Sequence, residues 1–411
     1  MAVRWRIAIM LAVITTINYV DRLSFGMVMP VVRDEFGITD QHYGWLTSAF
    51  LAAYALGQLL TGPVIDRLGT RLSFTLAAAL WSVSTMLHAL GRGVTSFLVL
   101  RISLGLTEAA NFPAALKAVA QWFPASERST AVGIFMLGAG AGSIITPPLA
   151  AGLIENFGWE WAFLVPGGIG LVWAWFWHRW YRLPEEHPRI DTAERELILA
   201  GRAPQQAAEG WAELLRYREF WGLMISRFVS DGPFYFFVFW LPLYLADERG
   251  FNLREIGLFA WIPFVAADVG AWFGGWLSSR IIKGGRSIDF SRKFVIWLGA
   301  LLMLGAMPAA TAGSPYVAIA LISLGMFSIQ VKSSVFFTLP SDLFSAGRVA
   351  SVWGAYGAIG SLGAALFAPL AGWLIEHYSY RPLFVVVSLL PILSAVLLML
   401  FVPRIRQLSA A

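Results

Sequence analysis

Residues 148–163 read PLAAGLIENFGWEWAF, and residues 369–384 read PLAGWLIEHYSYRPLF. At a constant offset of 221, Pro148/Pro369, Leu149/Leu370, Ala150/Ala371, Leu153/Leu374, Ile154/Ile375, Glu155/Glu376 and Phe163/Phe384 are identical. Earlier in each half, Gly37/Gly250, Gly44/Gly257, Gly57/Gly270 and Gly62/Gly275 match at an offset of 213. The chain therefore repeats itself in parallel. Such a repeat suits two similar bundles that rock about a site at the membrane midplane. It equally suits a duplication with no surviving role, so other residues must decide.

Composition names the solvent. Of 411 residues, 58% are hydrophobic and 13% charged, against about 25% charged in an ordinary soluble protein. Apolar runs near 7–30, 43–63, 72–91, 94–120, 129–153, 159–180, 220–246, 256–279, 293–312, 315–340, 350–374 and 380–402 approach the roughly 20 residues that a helix needs to cross a bilayer. Such segments satisfy their own backbone only as helices. The expected fold is an all-α membrane protein with twelve transmembrane helices in two six-helix bundles. Residues 1–181 form the first bundle, 182–218 a cytoplasmic linker and 219–411 the second. The linker is rich in Glu and Arg, holds Pro184, Pro188 and Pro204, and carries a surface helix from Thr192 to Gly201.

The net charge of +5 is not a nucleic-acid signal. Twenty Lys and Arg fall in the termini, the central linker and alternate loops, and five (Arg33, Arg92, Arg249, Arg254, Arg381) in the opposite loops. The positive-inside rule puts both termini in the cytoplasm. There is no Cys, and the five His show no ligand spacing, so no metal, disulfide framework or cofactor is expected. No nucleophile–base constellation marks an enzyme. The expected partners are the lipid bilayer and a small solute, with the chain acting as a monomer.

Ile17–Ser24, INYVDRLS, sets Asp21 and Arg22 in the middle of the first apolar run. Charges inside a membrane are costly and mark function or pairing. Nine ionisable residues fall within the expected spans: Asp21, Arg22, Arg101, Glu108, Lys117, Arg227, Asp231, Asp268 and Lys332. Arg101 and Glu108 share a helix face two turns apart. They are either helix glue or a proton site that switches as Arg101 engages and releases Glu108. Arg227, Asp231 and Tyr235 follow at i+4 steps, so the first two can pair as a charge network. Lys332 sits beside Gln330 and Ser333 with no acid in its own helix. It needs either an acid on a facing helix or an anionic ligand. Lys117 lies near a helix end and can snorkel. Protonating one or two of the acids leaves these groups net positive, which admits an anion. Proton–anion symport is the economical mechanism.

Gly62–Arg71 reads GPVIDRLGTR and resembles the major facilitator superfamily loop pattern, with Gly62 for close packing and Asp66, Arg67 and Arg71 as a gating latch. The second-half counterpart, GGWLSSRIIKGGR, keeps Gly275 and Arg280 but has Ser279 in place of the acid. NYVDR (18–22), GLTEAANFPAALKAVAQWFPASERSTAVG (105–133) and TLPSDLFSAGRVASVWG (338–354) resemble the anion:cation symporter branch, and within it bacterial hexuronate and sugar-acid carriers. The resemblance implies a proton-coupled importer of an organic anion in a bacterial inner membrane. It implies Asp21 and Glu108 as protonation sites, Arg101 as partner of Glu108, Arg22 as carboxylate ligand, and Tyr19 and Tyr54 as pocket residues. Tyr235, Gln330, Lys332 and Ser333 would make the second-half share of the pocket. Lys332 and Val335 depart from the Trp and Asn common in sugar-acid members. Another carboxylate, or a drug–proton antiporter suggested by GAGAGSIITPP (138–148), is the competing expectation.

Overall fold

The computed structural model describes residues 2–124, 126–200, 211–344 and 346–408, and among them every regular element is helical. Residues 201–210, with Gly201, Arg202 and Pro204 of the linker, lie outside the described residues, as does Ser345. The helices are α1 (Val3–Val32), α2 (Asp40–Leu87), α3 (Val94–Glu108), α4 (Asn111–Trp122), α5 (Arg128–Phe157), α6 (Trp161–Trp180), α7 (Thr192–Ala200) and α8 (Trp211–Leu214). They continue as α9 (Arg218–Asp247), α10 (Leu253–Phe259), α11 (Ile262–Lys283), α12 (Ile288–Leu302), α13 (Pro315–Phe336), α14 (Leu339–Leu343), α15 (Ala346–His377) and α16 (Tyr380–Phe401). Nine stretches among the described residues are long and apolar enough to cross a membrane.

The chain divides into two compact units. The first takes Met1–Gly37 and Ala52–Gln205, and the second takes Ile38–Leu51 and Gln206–Ala411.

Several expected spans appear as two helices, and the sequence explains each break. Proline lacks an N–H and its ring crowds the carbonyl four residues back. Pro113 follows the α3/α4 break, Pro263 the α10/α11 break and Pro340 the α13/α14 break. The residues four before them, Ala109, Phe259 and Phe336, end or cap the preceding helix. The reverse holds for α2, where two expected spans run on as one element. They meet at Gly69, whose φ of 74° and ψ of 158° are not helical. Only glycine adopts that conformation cheaply, so the second glycine of GPVIDRLGTR is the corner between two helices. Gly62, expected to permit close packing, has no described atom within 4 Å of where a Cβ would stand.

In the first unit, α1 lies against α5. A Cβ on Gly142 would fall 2.6 Å from the Thr16 carbonyl oxygen and 2.6 Å from Tyr19 Cβ. Small residues let membrane helices approach this closely. In their most apolar windows α1 is 72% buried and α9 78%, whereas α5 is 33% buried. The first helix of each repeat is thus an inner helix of its unit, and both carry ionisable side chains. Outer faces present Val99, Val172, Trp175, Trp272 and Leu366, which hydrocarbon solvates.

The linker docks on the first unit. Glu194 of α7 accepts from the backbone amides of Val3 and Arg4 at 2.9 and 3.0 Å, capping α1, and pairs with the Arg4 guanidinium at 3.0 Å. Arg4 also reaches Glu127 at 2.8 Å. His187 is buried between Trp122 and Trp180, with ring centroids 5.3 and 5.0 Å away. Burial, with Arg189 and Arg182 nearby, holds its pKa below the usual value.

Candidate functional site

The first unit gathers its buried charges where α1 meets the α3/α4 break. Asp21 and Glu108 have no exposed surface and Arg22 keeps 3%. Arg22 Nε donates to Glu108 Oε2 at 3.0 Å, and Nη2 stands 3.0 Å from the same oxygen. The Arg22 guanidinium also lies over the rings of Tyr54 and Tyr19, 4.6 and 5.1 Å from their centroids. Aromatic faces stabilise a desolvated cation by about 2 kcal/mol. Glu108 is the last residue of α3, at the break.

Sequence reasoning paired Glu108 with Arg101. In the structure the ion pair is Arg22–Glu108, joining residues 86 apart. Arg101 is fully buried and lies over the Phe25 ring at 4.6 Å, close enough for its charge to act on Glu108. The helix spacing that put Arg101 and Glu108 on one face was real, but Arg22 approaches from a different helix. Asn111 Nδ2 donates to Thr15 Oγ1 at 3.3 Å, one turn further along the same seam. Asp21 is enclosed, with the Thr85 hydroxyl beside its carboxylate. The cluster is closed in this structure.

Chemically, the Arg22–Glu108 pair can exchange partners. A guanidinium donates to one carboxylate as readily as to another. An incoming carboxylate can take Arg22 from Glu108, and the released Glu108 is then a buried acid that must find a proton or another cation.

The second unit holds its own charges. Arg227 Nη2 pairs with Asp231 Oδ2 at 2.9 Å, as the i+4 spacing predicted. The Arg227 guanidinium lies over Phe337 and Tyr356, at 4.8 and 5.1 Å. Lys332 makes no direct ion pair among the described residues, although the charge of Asp231 on α9 acts on it. Its Nζ is bonded to Ser394 Oγ at 2.8 Å, Ser230 Oγ at 3.0 Å and the Pro391 carbonyl oxygen at 3.3 Å, with the Phe336 ring at 4.4 Å. Those oxygens belong to α9 and α16, and the side chain is enclosed between them rather than presented to a solute. Tyr235 is half-buried and stacked on Phe239, Gln330 is half-buried, and Ser333 is buried.

In the loop motif, Asp66 pairs with Lys117 at 2.6 Å, giving the Lys117 ammonium an exposed ion partner near the helix end. Arg71 Nε donates to the His178 carbonyl oxygen at 2.8 Å, and Arg67 is exposed. In the second unit Arg292 pairs with Asp342 at 2.8 Å and donates to Ser278 Oγ at 2.7 Å. That pairing was not read from sequence, although Asp342 stands in the quoted TLPSDLF.

Known proteins extend the picture. A hexuronate transporter of Escherichia coli K12 is 35% identical over 401 residues, covering 96% of this chain and 93% of its own. A galacturonate transporter of Dickeya chrysanthemi is 37% identical over 324 residues, covering 77% and 94%. A D-galactonate transporter of Escherichia coli O6:H1 is 30% identical over 419 residues, covering 99% and 97%. Among solved structures, a bacterial homolog of the human lysosomal transporter Spinster, inward-facing and occupied, superposes with a TM-score of 0.78 at 18% identity, covering 98% of this chain and 97% of that one. The xylose transporter of E. coli, inward open, gives 0.77 at 14% identity, covering 98% and 97%. The relatives are transporters, not enzymes. The family profile described as Major Facilitator Superfamily matches residues 11–288 and 284–410. The chain is an integral membrane protein and belongs to the Major Facilitator Superfamily.

Proposed function

We propose that this protein imports a hexuronate or a closely related sugar acid, together with protons, by alternating access across a bacterial inner membrane. Twelve crossings and cytoplasmic termini accompany this reading. The twelve arise when α2 turns at Gly69 into two crossings and the proline-broken pairs each count as one. The protein acts as a monomer, without a cofactor, and protons are its coupling ion.

The observation that carries the proposal is the enclosed Arg22–Glu108 pair, flanked by two tyrosine rings, with Asp21 buried beside it. Arg22 holds the carboxylate of the cargo. Glu108, displaced, takes a proton, and Asp21 is the second acid able to do so. Arg101 remains near Glu108 to receive its charge when the proton leaves. Tyr19 and Tyr54 keep the guanidinium oriented while its acceptor changes. The sugar acids named for the relatives support this cargo class. Export of cationic drugs is disfavoured, because such a molecule would meet Arg22 and Arg101.

Uptake of labelled glucuronate into proteoliposomes tests the reading. Accumulation is expected when the lumen is alkaline, and its loss when a protonophore collapses the gradient. Uptake indifferent to the gradient removes the coupling, and no uptake of any sugar acid removes the cargo class.

A further inference from the structure

Away from the charged cluster, the first unit carries an open groove of about 500 Å³ between the end of α2 and α6, a volume typical of small-molecule sites. Val83, Met86, Leu87 and Leu90 line one wall at helical spacing, and Leu164 and Leu171 line the other. Gly168 lies on the same face of α6, one turn from each of those leucines. A Cβ there would meet no described atom within 4 Å. The α6 wall is thus notched where a side chain would fill it.

Two charges line the loop end of the groove, Arg92 just before α3 and Glu160 just before α6. Arg92 Nη1 donates to the carbonyl oxygens of Ala89 and Gly91 at 2.9 and 2.7 Å, and the guanidinium lies over the Trp159 ring at 5.2 Å. These contacts fix the cation, yet its side chain stays 56% exposed and that of Glu160 34%. Their closest approach, 3.9 Å between Nη2 and an Oε1, is too long for a hydrogen bond. Nη2 can therefore donate, and Glu160 accept, without either giving up a bond to the other. Next to Glu160, the exposed ring of Trp161 packs on exposed Phe157 at 5.8 Å. Tryptophan favours the boundary between hydrocarbon and water, which sets the charge pair at headgroup depth and the apolar walls in the hydrocarbon. A ligand that matches both is apolar along its length and carries a negative and a positive group at one end.

We propose that this groove binds phosphatidylethanolamine, with an acyl chain between α2 and α6, the phosphate on Arg92 and the ammonium on Glu160. A head with phosphate but no amine would meet the Glu160 carboxylate unpaired. A quaternary ammonium has no N–H to give that carboxylate, so it forgoes the charge-assisted hydrogen bond.

Native mass spectrometry of the delipidated full-length protein tests this, with phosphatidylethanolamine, phosphatidylcholine and phosphatidylglycerol of identical chains. Wild type is expected to retain phosphatidylethanolamine over each of the others by about fivefold, the contribution of one partly exposed ion pair. R92Q brings phosphatidylethanolamine level with phosphatidylcholine. E160Q does the same and raises phosphatidylglycerol. G168L fills the notch and lowers retention of phosphatidylethanolamine with both charges in place. Melting of each variant checks folding, and E160Q, which keeps the shape of the side chain, serves where R92Q does not fold. Equal retention of the three lipids by wild type overturns the proposal, as does wild-type retention of phosphatidylethanolamine in E160Q and G168L.

Discussion

Replacing Glu108 with glutamine removes a negative charge and keeps the shape. In the structure Glu108 accepts from Arg22 through one oxygen, at 3.0 Å from both Nε and Nη2. A hydrogen bond to a charged partner contributes about 1.5–3 kcal/mol, and a neutral one about 0.5–1.5. The amide is therefore a weaker competitor for Arg22 by about 1 kcal/mol, so substrate affinity rises about fivefold. Coupling changes in the opposite sense. Each pH unit across the membrane is worth about 1.36 kcal/mol per proton, a tenfold concentration ratio. With the membrane potential clamped at zero and a one-unit gradient, wild type accumulates glucuronate about tenfold for every proton it carries. The variant, lacking one protonation site, loses a factor of about ten and still exchanges labelled for unlabelled substrate. The assay is gradient-driven uptake in proteoliposomes beside counterflow in the same vesicles. Accumulation in E108Q equal to wild type would refute the role of Glu108.

R22Q leaves a buried carboxylate unpaired, at a cost of about 3–5 kcal/mol. A lower melting temperature is expected, with no stabilisation by sugar acids, and R22Q/E108Q recovers the stability but not the ligand response. Gly142→Leu drives a side chain into Thr16 and Tyr19, and over-packing of about 1–3 kcal/mol appears as a lower melting temperature in nanodiscs. His187 has a folded pKa below the usual value because it is buried, so the folded protein binds fewer protons than the unfolded chain, whose His titrates near about 6.5. Its stability contribution is fully present above that pH and lost as pH falls below it. Melting temperature measured from pH 7.5 downward should therefore decline more steeply in wild type than in H187Q, and identical slopes contradict this.

The all-helical fold with long apolar spans was legible because bilayer thickness imposes a length on each of them. The proline breaks were legible in principle, since Pro113, Pro263 and Pro340 each stand one turn past a break. The Arg227–Asp231 pair was legible because both residues lie on one helix. Arg22–Glu108 was not, because spacing along one helix says nothing about what another helix brings. Lys332 is a related case. Its partners are two serines and a carbonyl oxygen on α9 and α16, groups too common to mark a site in sequence. Gly69 shows a third case, where a motif glycine was visible but its dihedral angles were not.

The most direct test of sugar-acid and proton movement as one event is a pH-sensitive dye trapped inside proteoliposomes, followed as glucuronate is added outside with no imposed gradient and the potential clamped. Acidification of the lumen that tracks glucuronate entry, and that falls in E108Q by one proton per glucuronate, is the expected result. Glucuronate entering wild-type vesicles with no change in lumenal pH would contradict it.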